Sequence, residues 1–300
     1  MSWLKPENPI SFPGLGLALG DIPTGFALGS LNIRFYGVVI AIGLLLAVFY
    51  GLKRSKEFGL TEDDILDGVL GIVPFAIIGA RLYYCAFKWE LYAAAPWKLL
   101  YIWEGGLAIY GGVIGAALGV VVFARIKKVK LTAVLDLVAI AFLIGQSIGR
   151  WGNFFNREAF GQLTENFLRM QIVNPENGVA GAYHPTFLYE SLWNLAGFIL
   201  LHLLSKRRQY DGQMALGYVF WYGLGRALIE GLRMDSLYIG TIRVSQLLAA
   251  LTCFAAAALL ILMAFKKHDK EKLFVNQVAA KAAEEAEAAE AAAEEETKEN

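Results

Sequence analysis

Apolar residues run along this chain in seven long blocks separated by polar connections. The blocks cover residues 34–52, 66–87, 107–124, 132–151, 186–204, 213–232 and 244–265. A bilayer core about 30 Å thick is crossed by about 20 residues of α-helix, and each block is close to that length. The pattern therefore predicts seven membrane-spanning helices. A further apolar stretch at 10–31 is broken by Pro13, Pro23 and several glycines. It is expected to lie on the surface or to re-enter the membrane without crossing it. The longest connection runs from about 152 to 185. Asn174, Pro175, Asn177 and Gly178 mark a turn inside it, between two short strands. This segment is expected to form a small head outside the membrane.

The connections also orient the chain. Lys53, Arg54 and Lys56 follow the first block. Arg125, Lys127, Lys128 and Lys130 follow the third, Lys206, Arg207 and Arg208 the fifth, and Lys266, Lys267, Lys270 and Lys272 the seventh. Lysine and arginine gather on the cytoplasmic side of membrane proteins. The expected fold is thus an all-α polytopic membrane protein of seven transmembrane helices, with the N-terminus outside and the C-terminus cytoplasmic. Three parts are predicted: an extracytoplasmic N-terminal segment (1–33), a seven-helix membrane domain (34–265) carrying the head, and a cytoplasmic acidic tail (266–300).

Composition agrees. Hydrophobic residues make up 57% of the 300 and charged residues only 18%, against roughly 45–50% and 25% in soluble domains. The net charge of zero hides an asymmetry. From Lys266 onward ten acidic and six basic residues leave the tail at −4, so the rest of the chain is at +4. The tail beyond 279 is nearly all Ala, Glu and Lys, which predicts a solvated helix or a disordered segment. Cys85 and Cys253 sit in apolar runs and read as small buried hydrophobes. No cleavable signal peptide is evident, because the first 30 residues lack a basic start. The basic loops read as topology signals, not as a nucleic-acid patch. His184, His202 and His268 are scattered, so neither a metal nor another cofactor is implied.

Polar residues within the blocks are one-sided. On the predicted orientation, Arg34, Tyr36, Arg81, Tyr110, Arg150, His184, Glu190, Arg226, Glu230 and Arg233 all fall toward the outer leaflet, whereas the inner halves hold little beyond Asp67 and Asp136. Interface anchors would be expected at both faces. Charge inside a membrane is costly and points to function. In the sixth block, Tyr222, Arg226, Glu230 and Arg233 follow at i, i+4, i+8 and i+11, one helix face. Arginine's planar fork suits phosphate, so several arginines at headgroup depth point to an anionic phospholipid. Two other classes remain open on these grounds. One is a transporter, which would place its polar site near the midplane, often with repeated halves. The other is a non-catalytic lipid-binding scaffold.

The run Gly149-Arg-Trp-Gly-Asn-Phe-Phe-Asn-Arg-Glu-Ala-Phe-Gly161 closely resembles the signature of the prolipoprotein diacylglyceryl transferases. Further motifs fall in that family's order: Arg34-Phe-Tyr-Gly37, Gly79-Ala-Arg81, Gly105-Gly-Leu-Ala-Ile-Tyr-Gly-Gly112, His184-Pro-Thr-Phe-Leu-Tyr-Glu190 and Tyr222-Gly-Leu-Gly-Arg226, continuing to Glu230 and Arg233. The resemblance covers about residues 10–265. It implies an enzyme of the bacterial plasma membrane that transfers the diacylglyceryl group of phosphatidylglycerol to the lipobox cysteine of a prolipoprotein. A thioether forms and glycerol phosphate leaves. The implied partners are phosphatidylglycerol, prolipoprotein signal peptides and membrane lipid, and a monomer is the expected state.

Carried over residue by residue, Arg150 and Arg226 match the family's essential arginines. Asn153, Glu158 and Gly161 match its signature contacts, and Tyr36, Tyr222, Glu230 and Arg233 match further functional positions. The expected catalytic set is Arg150, Arg226, Glu158, Glu230 and His184, with the last three as alternative bases for the substrate thiol. The expected substrate-binding set is Tyr36, Arg81, Tyr110, Asn153, Asn156, Gly161, Tyr222 and Arg233. One position departs: many members carry a histidine, proposed as a base, where this chain has Tyr110. A phenol of pKa about 10 is a poor base at neutral pH. Either Tyr110 only positions substrate, or the base role is not general to the family.

Overall fold

The computed structural model describes residues 9–29, 31–175, 177–234 and 238–299. The first eight residues of the expected N-terminal segment, and residue 300 of the tail, lie outside the described residues. The chain divides into two compact units, one of residues 1–49, 138–208 and 213–268, the other of residues 50–137, 209–212 and 269–300.

Every predicted span appears as a helix. These are α1 (Phe35–Arg54), α2 (Glu62–Phe87), α3 (Ile109–Lys127), α4 (Leu131–Asn156), α5 (Thr186–Ser205), α6 (Gln213–Glu230) and α7 (Val244–Ala264). All but α6 are long and apolar enough to cross a membrane. Helix α6 has 18 residues, but Gln213, Arg226, Glu230 and its tyrosines lower its apolarity. An eighth helix, α8, covers Phe274–Glu299.

The all-α expectation needs one correction. The 10–31 stretch forms short strands, namely β1 (Pro9–Phe12), β2 (Leu17–Asp21), β3 (Gly25–Leu28) and β4 (Leu31–Arg34); the head forms the two expected about its turn, β5 (Met170–Val173) and β6 (Ala180–Tyr183), and β7 (Tyr238–Ile239) and β8 (Ile242–Arg243) follow later. In the first unit β2, β1, β5 and β6 make one antiparallel sheet in that order. Its buried face explains why it forms. Ile10 and Phe12 from β1 meet Met170 and Ile172 from β5 and Tyr183 from β6, alternate residues of each strand. They close over Phe154 at the end of α4, Phe160 beyond it and Phe187 at the start of α5. The sheet thus fixes how the chain leaves one helix and enters the next.

In the second unit, α2 opens with a capping box: Asp64 N–H donates to Thr61 Oγ1 and Thr61 N–H to Asp64 Oδ2. Helices α2 and α3 meet through backbone. A Cβ on Gly79 would strike the Gly111 carbonyl, and one on Gly115 the Phe75 carbonyl, so these glycines serve close helix packing. The loop residues between α5 and α6 and the chain after α7 join this unit through Asp211, which pairs with Lys130 at 3.0 Å and accepts the Phe274 N–H at 2.8 Å. Leu273 is buried, and Phe274 and Val275 lie against Gly59.

Candidate active site

The site grows from the end of α4. That helix continues to Asn156, so the first half of the Gly149–Gly161 run is helical. It then breaks sharply, with Arg157 and Ala159 both in the left-handed region (φ 52° and 56°), a conformation uncommon for residues with a Cβ. Two interactions hold the break. The buried Arg157 guanidinium donates to Asp21 Oδ1 at 2.9 Å and to the Ile22 carbonyl at 2.7 Å. The Thr186 hydroxyl donates to the Ala159 carbonyl.

Helix α4 is zipped to α5 beside Arg150. Ser147 Oγ donates to the Ser191 carbonyl at 2.9 Å and Trp151 Nε1 to Ser191 Oγ at 3.2 Å. Helices α5 and α6 are locked by a reciprocal pair of tryptophans. Trp193 Nε1 donates to the Trp221 carbonyl at 3.0 Å and Trp221 Nε1 to the Trp193 carbonyl at 2.9 Å, with the rings stacked. Gly197 and Gly225 leave room for these indoles. The rotation of all three helices is thereby set.

That rotation gathers charge. Glu190 on α5, only 4% exposed, receives three arginines. Arg150 Nη2 lies 2.5 Å from Oε2, Arg226 Nη1 3.2 Å and Arg233 Nη1 2.9 Å from Oε1. Glu230, 1% exposed, pairs with Arg226 Nη2 at 2.6 Å and with Arg233 Nε at 4.0 Å. Arg243 Nη1 donates to the Glu230 carbonyl at 2.8 Å and braces the end of α6. Three guanidiniums against two carboxylates leave one unit of positive charge. Arg150 and Arg226 keep about a fifth of their side-chain surface accessible, at 22% and 19%, so both can meet a further anion.

Several other predicted residues lie around this cluster in the same unit. The ring of Tyr36 packs where a Cβ on Gly152 would be, and it feels the charges of both Arg150 and Glu158. Asn153 Nδ2 donates to Glu158 Oε1 at 2.9 Å. Tyr222 stacks on Tyr218, whose hydroxyl accepts from Gln146 Nε2 at 3.1 Å. Gly161 donates its N–H to the His184 carbonyl at 2.8 Å and bridges to Arg233, so it joins the signature to the end of α6. His184 Nδ1 is 3.3 Å from the Tyr189 hydroxyl, and burial holds its imidazole below the usual value of 6.5. Asn156 is the last residue of α4, directly before the break at Arg157.

Arg81 and Tyr110 belong to the second unit. Arg81 is 5% exposed and turned onto backbone. Its Nε donates to Leu99 O at 2.9 Å, Nη2 to Lys98 O at 2.7 Å, and Nη1 to Gly105 O at 2.6 Å and Gly106 O at 3.1 Å. Arg81 thus organises the loop between α2 and α3. Tyr110 is exposed at the start of α3, its ring tilted against Tyr83. Among the described residues no cluster of His, Cys, Asp or Glu could hold a metal ion.

The residue absent from the expected site is Glu190, which ties the three arginines together. The available signal was a carboxylate one turn inside an apolar block, which must find a cation.

The sequence matches the family model of prolipoprotein diacylglyceryl transferase over residues 23–262. The chain belongs to this family. It is 41% identical over 265 residues to the phosphatidylglycerol–prolipoprotein diacylglyceryl transferase of Limosilactobacillus reuteri, covering 85% of this chain and 95% of the relative. It is 44% identical over 247 residues to the enzyme of that name from Enterococcus faecalis, with 79% and 88% covered. With that of Listeria monocytogenes the identity is 41% over 246 residues, with 80% and 88% covered. The family and the apolar helices together make this a multi-pass membrane transferase. They also agree with the expectation drawn from the Gly149–Gly161 run and its partner motifs.

Proposed function

We infer that this chain transfers the diacylglyceryl group of phosphatidylglycerol to the lipobox cysteine of prolipoproteins, the first step of bacterial lipoprotein maturation. The observation that carries the chemistry is the convergence of Arg150, Arg226 and Arg233 on Glu190 and Glu230 with one positive charge in excess. A phosphodiester supplies the missing negative charge. The attacking group is the substrate's own thiolate, so no enzyme nucleophile is required. Sulfur attacks the terminal glyceryl carbon, the C–O bond to phosphate breaks, and its electron pair stays on the phosphate. Arg150 and Arg226 stabilise the growing charge with donors already oriented by buried carboxylates.

Glu230 is buried and paired with Arg226, so its role is to orient that arginine. Glu158 and His184 then remain as acceptors for the thiol proton. Tyr36, Asn153, Asn156, Gly161 and Tyr222 line or shape the site, with Arg233 completing the anion pocket. Arg81 acts by holding the outer loop, and Tyr110 positions substrate.

Helix α6 is then the sixth of seven spans, with the N-terminus outside, the C-terminus in the cytoplasm and the pocket at outer-leaflet headgroup depth. The basic loops support this orientation. The segment 1–33 and the head at about 152–185 form the outer part, 34–265 the catalytic membrane domain and 266–300 the cytoplasmic tail. The substrate's signal peptide reaches the pocket within the bilayer, and the chain acts as a monomer. A transporter is disfavoured, since the matching relatives are named as transferases. Purified protein incubated with phosphatidylglycerol and a lipobox peptide should add a diacylglyceryl mass to the cysteine. A peptide of unchanged mass, from protein that is folded, would overturn the reading.

A further inference from the structure

We propose that Glu190 sets the net charge of the anion pocket, matching it to a phosphodiester and not to the phosphomonoester that leaves. The proposal rests on the transferase reading above. Both Glu190 oxygens are engaged, Oε2 by Arg150 and Oε1 by Arg226 and Arg233, and the carboxylate is almost wholly buried. With Glu230 it cancels two of the three guanidinium charges; Arg243, on the Glu230 carbonyl, and Glu158, bonded to Asn153, add one charge of each sign, and the pocket stands at +1.

The substrate and product differ in charge at the phosphate. The phosphodiester of phosphatidylglycerol carries one negative charge. The thiolate brings a second. When the C–S bond forms and the C–O bond breaks, the thioether is neutral and both charges reside on glycerol phosphate. A phosphomonoester has a second pKa near 6 and carries about −1.5 to −2 at pH 7. A pocket at +1 balances the substrate, and its extra attraction for the second charge of the product is about half that of a pocket at +2. Without the Glu190 charge the pocket would stand at +2, and the product would be held more strongly than the substrate. Burial makes this one charge count, because solvent screens it poorly. Glu190 touches no reacting atom; it is a positioning residue acting through the arginines.

The test uses the full chain with phosphatidylglycerol and a lipobox peptide. It compares KM for the lipid with the inhibition constant of added glycerol phosphate. In Glu190→Gln the ratio of inhibition constant to KM should fall about tenfold or more. The fall should deepen between pH 5 and 7, as the product takes its second charge, and kcat should drop as release slows. Glu190→Asp keeps the charge and should keep the wild-type ratio. A Gln variant whose ratio stays within twofold of wild type overturns the proposal, and so does an equal fall in the Asp variant. A measurement on unaltered protein covers variants that do not fold. Glycerol phosphate and its monoanionic methyl ester should inhibit wild type to within a few-fold of each other, and a strong preference for the dianion contradicts a pocket at +1. If neither phosphate inhibits an active enzyme, the phosphate-clamp reading itself fails, which is a separate outcome.

Discussion

Arg226 and Glu230 lie one turn apart on α6 and are joined at 2.6 Å, with the carboxylate 1% exposed. The same guanidinium reaches Glu190 with its other nitrogen. One side chain therefore bridges two buried carboxylates from two helices.

Arg226→Ala should strand Glu230. Removing one partner of a buried pair costs about 3–5 kcal/mol, which a thermal unfolding scan in detergent would show as a clear fall in midpoint. Replacing both members, Arg226→Met with Glu230→Leu, should restore much of that stability, since Glu230 is no longer stranded and the cluster keeps its net charge of +1. Transfer activity should stay absent in the double variant. Activity returning with stability would mean that the pair serves the fold alone.

Gly161→Ala should impair the enzyme without touching a charge. A Cβ at this position would stand 2.7 Å from the Leu232 carbonyl and 2.8 Å from His184 Cβ, and the nearest obstacle is backbone. Overpacking of this kind costs about 1–3 kcal/mol. It would push the signature away from the end of α6, where Arg233 sits. The check is kcat/KM together with unfolding midpoint, and an unaltered kcat/KM would contradict the role given to this contact.

The helices were readable because an apolar run of about 20 residues has few alternatives. Predicted spans and observed helices differ by a few residues at their ends, for example 66–87 against Glu62–Phe87, where the capping box and acidic first turn extend the helix beyond its apolar part. The strands of the 10–31 stretch were not readable. The pairing of β1 with β5, some 160 residues away, leaves no local pattern, and the local β1–β2 and β3–β4 hairpins are interrupted by Pro13, Pro23 and glycines that mask their alternation. Arg150 and Arg226 stood out as arginines in apolar helices. Glu190 was legible as an outer-leaflet carboxylate, but not as the centre of the three arginines, because that comes from the rotation of α5 against α4 and α6, which Ser147, Trp193 and Trp221 set through contacts between helices. For Arg81 the sequence shows the depth of the residue, whereas its four backbone carbonyl partners come from the fold of the loop.

Burial lowers the His184 pKa below 6.5, and this has a sign that can be checked. The folded protein binds this proton less readily than the unfolded chain. The contribution to stability is present above about pH 6.5 and is lost as pH falls through the lower, folded value. The unfolding midpoint of wild type should therefore decline on the acid side more steeply than that of His184→Gln. The same variants separate the two candidate bases. If His184 takes the thiol proton, the acid limb of kcat/KM lies below 6.5 and vanishes in His184→Gln. If Glu158 does, the acid limb persists in His184→Gln and vanishes in Glu158→Gln.

Arg81→Lys should loosen the loop between α2 and α3. A lysine has no planar fork and cannot serve four carbonyls at once. Limited proteolysis within residues 88–108 should accelerate clearly over wild type. Equal cleavage rates would show that the loop holds itself.

The central claim is that Arg150 clamps the phosphate of the leaving group. It is tested most directly by the initial rate of diacylglyceryl addition to a lipobox peptide, read by mass spectrometry, for wild type and Arg150→Ala at equal amounts of folded protein. Loss of one such donor should slow transfer by about 10²–10³, with the product still appearing on the cysteine sulfur in wild type. An Arg150→Ala enzyme as fast as wild type would contradict the account.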